Sequence, residues 1–526
     1  MEQAAPPSDN DTQVGKLLAR FKRSKKLKDN WVPLFQECYD YAMPSRVGFY
    51  SQAPGTRTTD NIFDETAVVG VQEFASRLQD GLVPNYSRWS ELKPGSDVDK
   101  DARADMEKDL DDVTEYVFEV LQSSNFAQEV HEAFLDLAVG TGSLIAEMGD
   151  AINPVRFQAI SMPELFIDEA PDGSVGWIFR PRKLRLEDLV TLWPDATLPG
   201  DVTERGTKNP EITFNVLICT YKDLLILNED VFQHKVVLVN EKAVIHQDTF
   251  VGVGSSPFIV FRWAKAAGEV WGRGPLIQAL PAIKTTNLTV QLILENAEMA
   301  IAGIWQADDD GVVNVDTIQL VPGTIIPKAA GSNGLQPLSP GGDFNVANMV
   351  LTDMRANIKR ALYNDMLGNP NQSTPMSATE VAERQADLSR RMGSAFGRLQ
   401  AELVDPVIKR VIWILRELGR IELPTVNNRA ISIRSVSPLA QAQAQQDISN
   451  TLRFMEAVGN TFGPETLNQT VKQAEATEYL ADKFNVPEAI VRSPSEVQQV
   501  QAQAQAEQLA LQEARGGIQQ GQPPAQ

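Results

Sequence analysis

The sequence predicts a mainly helical α+β chain suited to assembly rather than catalysis, and three observations carry that reading. Between Trp263 and Gly419 two apolar helical segments flank a short β-like insert. A polar, breaker-rich loop then feeds one very long helix, and no cluster of catalytic side chains interrupts the stretch. Ahead of it, from Ala151 to Arg262, apolar and polar residues alternate in short runs, which adds a strand-rich region to a helical start.

Taken in order, residues 1–12 form a polar, proline-containing leader that reads as disordered. Segments 16–45, 61–83, 101–122 and 126–138 have helical spacing, with Asn125 placed to cap the last. Ile212–Tyr221, Val231–Val239 and Phe258–Trp263 read as strands. Leu276, Leu280, Ile283, Val290, Leu294, Ala297 and Ile301 then recur on one helical face. Pro275 suits the first turn, and Pro281 predicts a bend or a later start. Asp308-Asp309-Asp310-Gly311 is a turn signal, and Val312 to Val321 is rich in β-branched residues, so Ile304 to Asp343 reads as a small β-containing knob between antiparallel helices. The triple aspartate lacks the alternating ligands and closing glutamate of a calcium loop. A second helical stripe runs through Val346, Val350, Met354, Ile358, Leu362 and Met366. Gly368 to Pro375 sustains neither helix nor strand, and Ser377-Ala378-Thr379-Glu380 has capping-box form. The helix it opens keeps its spacing from Val381 to Leu418, with Gly419 as its C-cap and Asp405-Pro406 as a kink. From Gln441 the tail is Gln/Ala-rich and helical, ending in low-complexity residues 516–526.

Composition narrows the function classes. Apolar content of 43% and charged content of 22% are ordinary for a globular protein, and 526 residues exceed what one core supports. No phosphate-cradling Gly-x-x-x-x-Gly-Lys-Ser/Thr loop occurs, and Gly140-Thr141-Gly142 reads as a tight packing turn. His131, His234 and His246 are too scattered for a metal site or triad. Cys38 and Cys219 have neither metal nor disulfide-framework spacing. No enzyme chemistry, cofactor or metal is therefore expected, nor any membrane span or secretory signal. The net charge of −21 opposes the basic footprint of a protein that grips DNA. It fits equally an acidic wall along which DNA slides and ordinary solubility. The basic run Lys22-Arg23-Ser24-Lys25-Lys26 reads as a solvated helix face, with nucleic-acid contact as the alternative.

Several stretches between about Trp31 and Arg515 form a recognisable series. They are Cys38-Tyr39-Asp40-Tyr41-Ala42-Met43-Pro44-Ser45, Phe63-Asp64-Glu65-Thr66-Ala67, and Phe74 to Pro84 with Trp89 and Leu92 after it. Gly140-Thr141-Gly142-Ser143, Pro163-Glu164 with Asp168 and Gly173, an Arg180 strand end, Trp271-Gly272-Arg273-Gly274-Pro275, Val486-Pro487-Glu488 and Arg492 to Val497 follow in order. Each is weak alone; their collinearity is specific, and together they resemble the portal proteins of short-tailed bacteriophages, the head-to-tail connecting family.

The resemblance implies a portal-like fold in a ring-forming subunit: an N-terminal arm (1–30), an α+β wing (31–262), a first stem helix (263–302), a clip (303–344), a second stem helix (345–367), a tunnel loop (368–377), a long wing helix (378–420), a C-terminal helical crown (421–515) and a disordered tail (516–526). It implies a ring, dodecameric in the family, at one capsid vertex of the virion, assembled in the bacterial host cytoplasm. Double-stranded DNA would pass through the ring non-specifically during packaging and ejection. The implied partners are further copies, the terminase large subunit, tail adaptor or tail tube proteins, and the major capsid and scaffolding proteins. Candidate sites are linings and interfaces: Asn369, Asn371, Gln372, Ser373 and Thr374 in the tunnel loop; Arg355, Lys359 and Arg360 on the stem, facing the channel or pairing with acids of a neighbouring stave; and Ile304 and Trp305 at the clip. The alternative is a helical virion scaffold or adaptor without a DNA channel.

Overall fold

The computed structural model describes residues 9–50, 56, 58–95, 98, 100–224, 226, 229–302, 305–306, 331, 336–337, 344–364, 391–423, 430–463, 470–472, 476–477 and 479–481. The protein is α+β and mainly α. Its chain divides into two compact units: Met1–Tyr86, Leu92–Thr374 and Ser394–Ile433 form one, and Ser87–Glu91, Pro375–Gly393 and Arg434–Gln526 the other.

The first unit opens with helix α1 (Asp9–Asp29), which begins inside the leader expected to be disordered. The single helix expected over 16–45 is two. Trp31 N–H donates to the Lys28 carbonyl at 2.7 Å, and α2 (Val32–Ala42) restarts with Pro33 in its first turn. Helices α3 (Thr66–Leu82), α4 (Lys100–Ser123) and α5 (Phe126–Val139) follow, with strand β1 (Ser90–Pro94) between the first two. Asn125 precedes α5 without capping it. Its amide instead exchanges hydrogen bonds with the Phe157 backbone at 2.8 and 2.9 Å, and the Ser124 hydroxyl accepts the Phe126 N–H.

Thr141–Met148 (β2), Val155–Ala159 (β3), Phe166–Glu169 (β4) and Val175–Leu184 (β5) come next, then the short helices α6 (Leu186–Leu192) and α7 (Gly200–Lys208). Phe214–Lys222 (β6), Val231–Leu238 (β7), Ala243–Val251 (β8) and Phe258–Arg262 (β9) complete two sheets, in the orders β4-β5-β6-β7-β8 and β3-β2-β9. Arg180, expected at a strand end, lies mid-strand opposite Ile218. Alternate residues of the larger sheet, Phe179, Leu217, Cys219 and Val237, pack under Val14 and Leu17 of α1. The period of two in the strands thus meets the period near four in the helix.

Two glycine-containing motifs, 131 residues apart from Thr141 to Gly272, meet back to back. Gly272 N–H donates to the Thr141 hydroxyl at 3.0 Å, and Gly274 N–H to the Val139 carbonyl at 2.7 Å. A Cβ on Gly272 would lie 2.0 Å from the Gly140 oxygen, and one on Gly274 2.1 Å from the Ala138 oxygen. Gly140-Thr141-Gly142 thus packs tightly as expected, but the turn is confined to Gly140: β2 begins at Thr141, and the glycines let two backbones touch.

That contact launches α8 (Pro275–Ala302), which runs through Pro281 without shifting its start. A short antiparallel pair joins β10 (Trp305–Gln306) to β11 (Gln336–Pro337). Helix α9 (Phe344–Ala361) ends before Met366, earlier than its apolar stripe predicts. The expected turn at Asp308, the β-branched run, the breaker loop, the capping box at Ser377 and the final tail lie outside the described residues. The expected long helix is described from Arg391 and is not uniform. It comprises α10 (Ser394–Leu399), a π-helical turn at Gln400–Val404, and α11 (Asp405–Glu417). Pro406 has no N–H and its ring crowds the carbonyl four residues back, so the helix widens where a kink was expected. In the second unit, α12 (Pro438–Phe462) starts from Ser437, whose hydroxyl accepts the Ala440 N–H at 3.3 Å; Leu439 and Ile448 are buried.

Candidate functional site

The arrangement with functional character is the paired helices α8 and α9, their root in the first unit, and the terminus from which residues 365–390 depart. At the root, Leu276, Leu280 and Ile283 are buried. One turn on, the Asn287 side chain accepts the N–H groups of Phe63 and Asp64 at 2.7 and 3.1 Å and donates to the Asn61 carbonyl at 2.9 Å. Asp64 in turn accepts Arg355 of α9 at 2.7 Å and caps α3 through the Thr66 N–H at 3.0 Å. Burial pushes the Asp64 carboxyl up, but the hydrogen bonds from Thr66 and Arg355 prevail and hold it below the usual carboxylate range. One asparagine and one ion pair thus lock both helices to the segment entering α3.

Past Asn287 the environment changes. From Leu288 onward no described side chain of α8 is buried. Leu288, Leu292 and Leu294 are 54%, 56% and 52% exposed, and on α9 Met349 and Val350 are 72% and 41% exposed. Among the described positions of the predicted apolar stripe, Leu276, Leu280 and Ile283 are buried, and Val290, Leu294 and Ala297 are not. Leucines repeated along a helix in water mark a surface that another protein covers.

At its other end α9 closes with a Schellman motif: Asn364 N–H reaches the Lys359 carbonyl at 2.7 Å and Tyr363 N–H the Arg360 carbonyl at 3.1 Å. The residue in the left-handed conformation is Tyr363, φ 59°, where glycine is usual. Neighbours hold it there: its carbonyl accepts Arg77 at 2.8 Å, its ring lies 5.5 Å from that of Trp263, and Asn364 donates to the Gly70 carbonyl at 2.7 Å. The departure point of the following segment is thereby fixed on α3. Across the unit, Arg262 at the end of β9 donates from Nη2 and Nε, one edge of its guanidinium, to the two carboxylate oxygens of Glu402 in the π turn at 2.7 and 3.2 Å, and its own N–H donates to Glu402 at 2.9 Å.

The structure gathers Arg355, Lys359 and Arg360 on the C-terminal half of α9. Lys359 and Arg360 are exposed in its last turn, and Arg355 pairs within its own chain. Trp305 pairs through its backbone with Pro337. Ile304, Asn369, Asn371, Gln372, Ser373 and Thr374 lie outside the described residues.

Buried polar groups that the sequence reading passed over hold this frame. Lys28 is 1% exposed and donates to the Met162, Pro163 and Leu165 carbonyls at 2.6, 2.9 and 2.7 Å, with its ammonium 4.0 Å from the Phe166 ring centre. Desolvation drives its pKa down to about 7, against the pull of Asp29, Asp136 and Glu164. The signal was present in the spacing, since Lys28 continues the inward series Val14, Leu17, Phe21 and Ser24. Tyr39 donates to Asp136 at 2.5 Å, while Asp136 also accepts the Met162 N–H and pairs with Arg46 at 3.2 Å. Nothing in a single sequence marks that network. Both cysteines are free and buried, and desolvation pushes the Cys38 thiol up to about 12. Among the described residues no group of three acidic, histidine or cysteine side chains is placed to hold a metal ion, and no helix is long and apolar enough to cross a membrane.

Residues 14–491 match the family described as "Bacteriophage head to tail connecting protein". Similar curated proteins include the "Probable portal protein" of Bordetella phage BPP-1, 24% identical with 95% of this chain and 92% of the relative covered, and the "Portal protein" of Salmonella phage epsilon15, 22% identical with 94% and 92% covered. Solved structures with similarity include a chain from the virion of a native gene transfer agent particle, at TM-score 0.37, 13% identity and coverage of 85% and 99%. Another comes from the neck of an empty particle of that kind, at 0.36, 13%, 82% and 94%.

Proposed function

The chain belongs to the bacteriophage head-to-tail connecting protein family, and from that premise we propose that it is a portal subunit. Copies assemble side by side into a ring, dodecameric as in the family pattern, at one capsid vertex, where the tail attaches and DNA passes during packaging and ejection. The observation that carries this reading is the pair of helices whose apolar side chains are buried at the root and uncovered beyond it. Leu288, Leu292, Leu294, Met349 and Val350 acquire a partner when the same pair from the next copy packs alongside. In this reading α8 and α9 are the stem, residues 303–344 the clip that meets the terminase large subunit and then the tail adaptor, and 368–377 the tunnel loop beside DNA. Capsid and scaffolding proteins surround the ring, and an acidic inner wall keeps DNA from binding tightly as it slides.

Replacing both Leu292→Glu and Leu294→Glu tests the assembly. Carboxylates at a face that must become dry cost several kcal/mol per contact. The variant is expected to sediment as a folded monomer under conditions where the parent forms a large closed species with a central hole in negative-stain images. A variant that still forms the parent's rings would refute the stem interface.

A further inference from the structure

Helix α1 carries seven Lys or Arg and three Asp in a chain of net charge −21. Two of the cations point inward: Lys28 sits in its ring of carbonyls, and Arg20 binds Asp168 at 3.1 Å with its guanidinium 4.3 Å from the Trp177 ring centre. The other five, Lys16, Lys22, Arg23, Lys25 and Lys26, are all exposed. Among the described residues none of the five has an ion-pair partner. Lys22 with Lys26, Lys22 with Lys25 and Arg23 with Lys26 stand three or four apart, a repulsive arrangement on a helix. The inward face is pinned by Val14, Leu17 and Lys28, so the helix cannot roll to bring these cations to the acids of its own chain.

We propose that the outward face of α1 is a docking surface for the phosphate backbone of duplex DNA, separate from any contact made by the stem or by residues 368–377. Lys16 to Lys26 span about 15 Å of helix axis, a length over which duplex DNA presents about nine negative charges. The face fits phosphate better than a protein partner. Protein interfaces are depleted in lysine and need a buried apolar anchor, and the one large apolar side chain exposed on α1 is Leu27. Lysines on a smooth helix hold DNA without register, so they fasten it while leaving sequence unread. The inference rests on the proposed function only for the presence of duplex DNA.

The test uses full-length protein, a 30-base-pair duplex of random sequence and fluorescence anisotropy between 50 and 200 mM salt. Five phosphate contacts give a log–log slope of about −4.5, an affinity loss of about 500-fold across that range. The variant Lys22→Gln, Arg23→Gln, Lys25→Gln, Lys26→Gln is expected to flatten the slope to about −1, a loss of about fourfold, while sedimenting like the parent. Lys22→Arg, Lys25→Arg, Lys26→Arg keeps the parent slope. An unchanged slope in the glutamine variant overturns the proposal. So does polyglutamate that competes better than DNA at equal charge, which would identify an acidic protein as the occupant. Lost self-association with unaltered DNA affinity would identify a second copy and overturn it too. Failure of the stem reading is seen separately, because Leu292→Glu with Leu294→Glu changes assembly and leaves α1 intact.

Discussion

His234 shows how burial sets a side chain's chemistry. It is 9% exposed on β7, its Nδ1 lies 2.8 Å from the Thr220 hydroxyl, and its ring lies among Phe250, Phe258 and His246. Desolvation first, then His246 and Arg410, lower its pKa to about 4, with Asp248 opposing. The unfolded chain takes up this proton near pH 6.5 and the folded chain near pH 4. Its contribution is therefore complete above pH 6.5 and lost progressively as the pH falls to about 4, in total about 3 kcal/mol. Urea titrations at pH 7, 5.5 and 4.5 should show the parent losing stability faster than His234→Gln. Gly419 gives a second prediction. It ends α11 with φ 65° and has nothing within 4 Å of where a Cβ would be, so Gly419→Ala should cost about 1 kcal/mol from backbone strain alone, read as a lower urea midpoint at unchanged m-value. Tyr363 holds the same conformation without glycine because Arg77 and Trp263 grip it. Spacing could locate a stop at Gly419 but could not reveal one at Tyr363.

Among the elements, packing redrew the boundaries that periodicity proposed. Helix α8 starts at Pro275 as the Gly-Pro signal predicts. Helix α9 stops at Ala361 although its stripe continues to Met366, because the Lys359 and Arg360 carbonyls are capped one turn early. Strand β2 was hidden for another reason. Its residues 141–146 are buried on both faces, so no alternation appears, and its opening glycines imitate a turn. Those glycines carry the prediction at this scale. Gly274→Ala sets a Cβ against the Ala138 oxygen and should destabilise the first unit by about 3 kcal/mol or more, lowering its thermal midpoint by several degrees. Gly200→Ala, which meets nothing within 4 Å, should leave that midpoint nearly unchanged.

For the whole molecule the prediction concerns the segment between α9 and the long helix. Deleting Asn369 to Thr374 should leave thermal stability and ring assembly in place while impairing genome packaging or retention in particles, measured as protected DNA; full retention would remove the case for a tunnel loop. The amino-acid order alone determined the mainly α character, the start of α8 at Pro275, the helical stripe of α9, the glycine stop at 419 and the family. These follow from local backbone preference and from the period of apolar residues, which a chain carries whether or not it is folded. Only the tertiary structure decided that Gly140 faces Gly272, that Lys28 meets three backbone carbonyls, that Arg262 finds Glu402, and that the described side chains of α8 are buried at its root and no longer buried past Asn287. Each of those outcomes depends on which distant backbone or side chain arrives opposite, and a buried charge or a close backbone contact is stable only after its partner is in place.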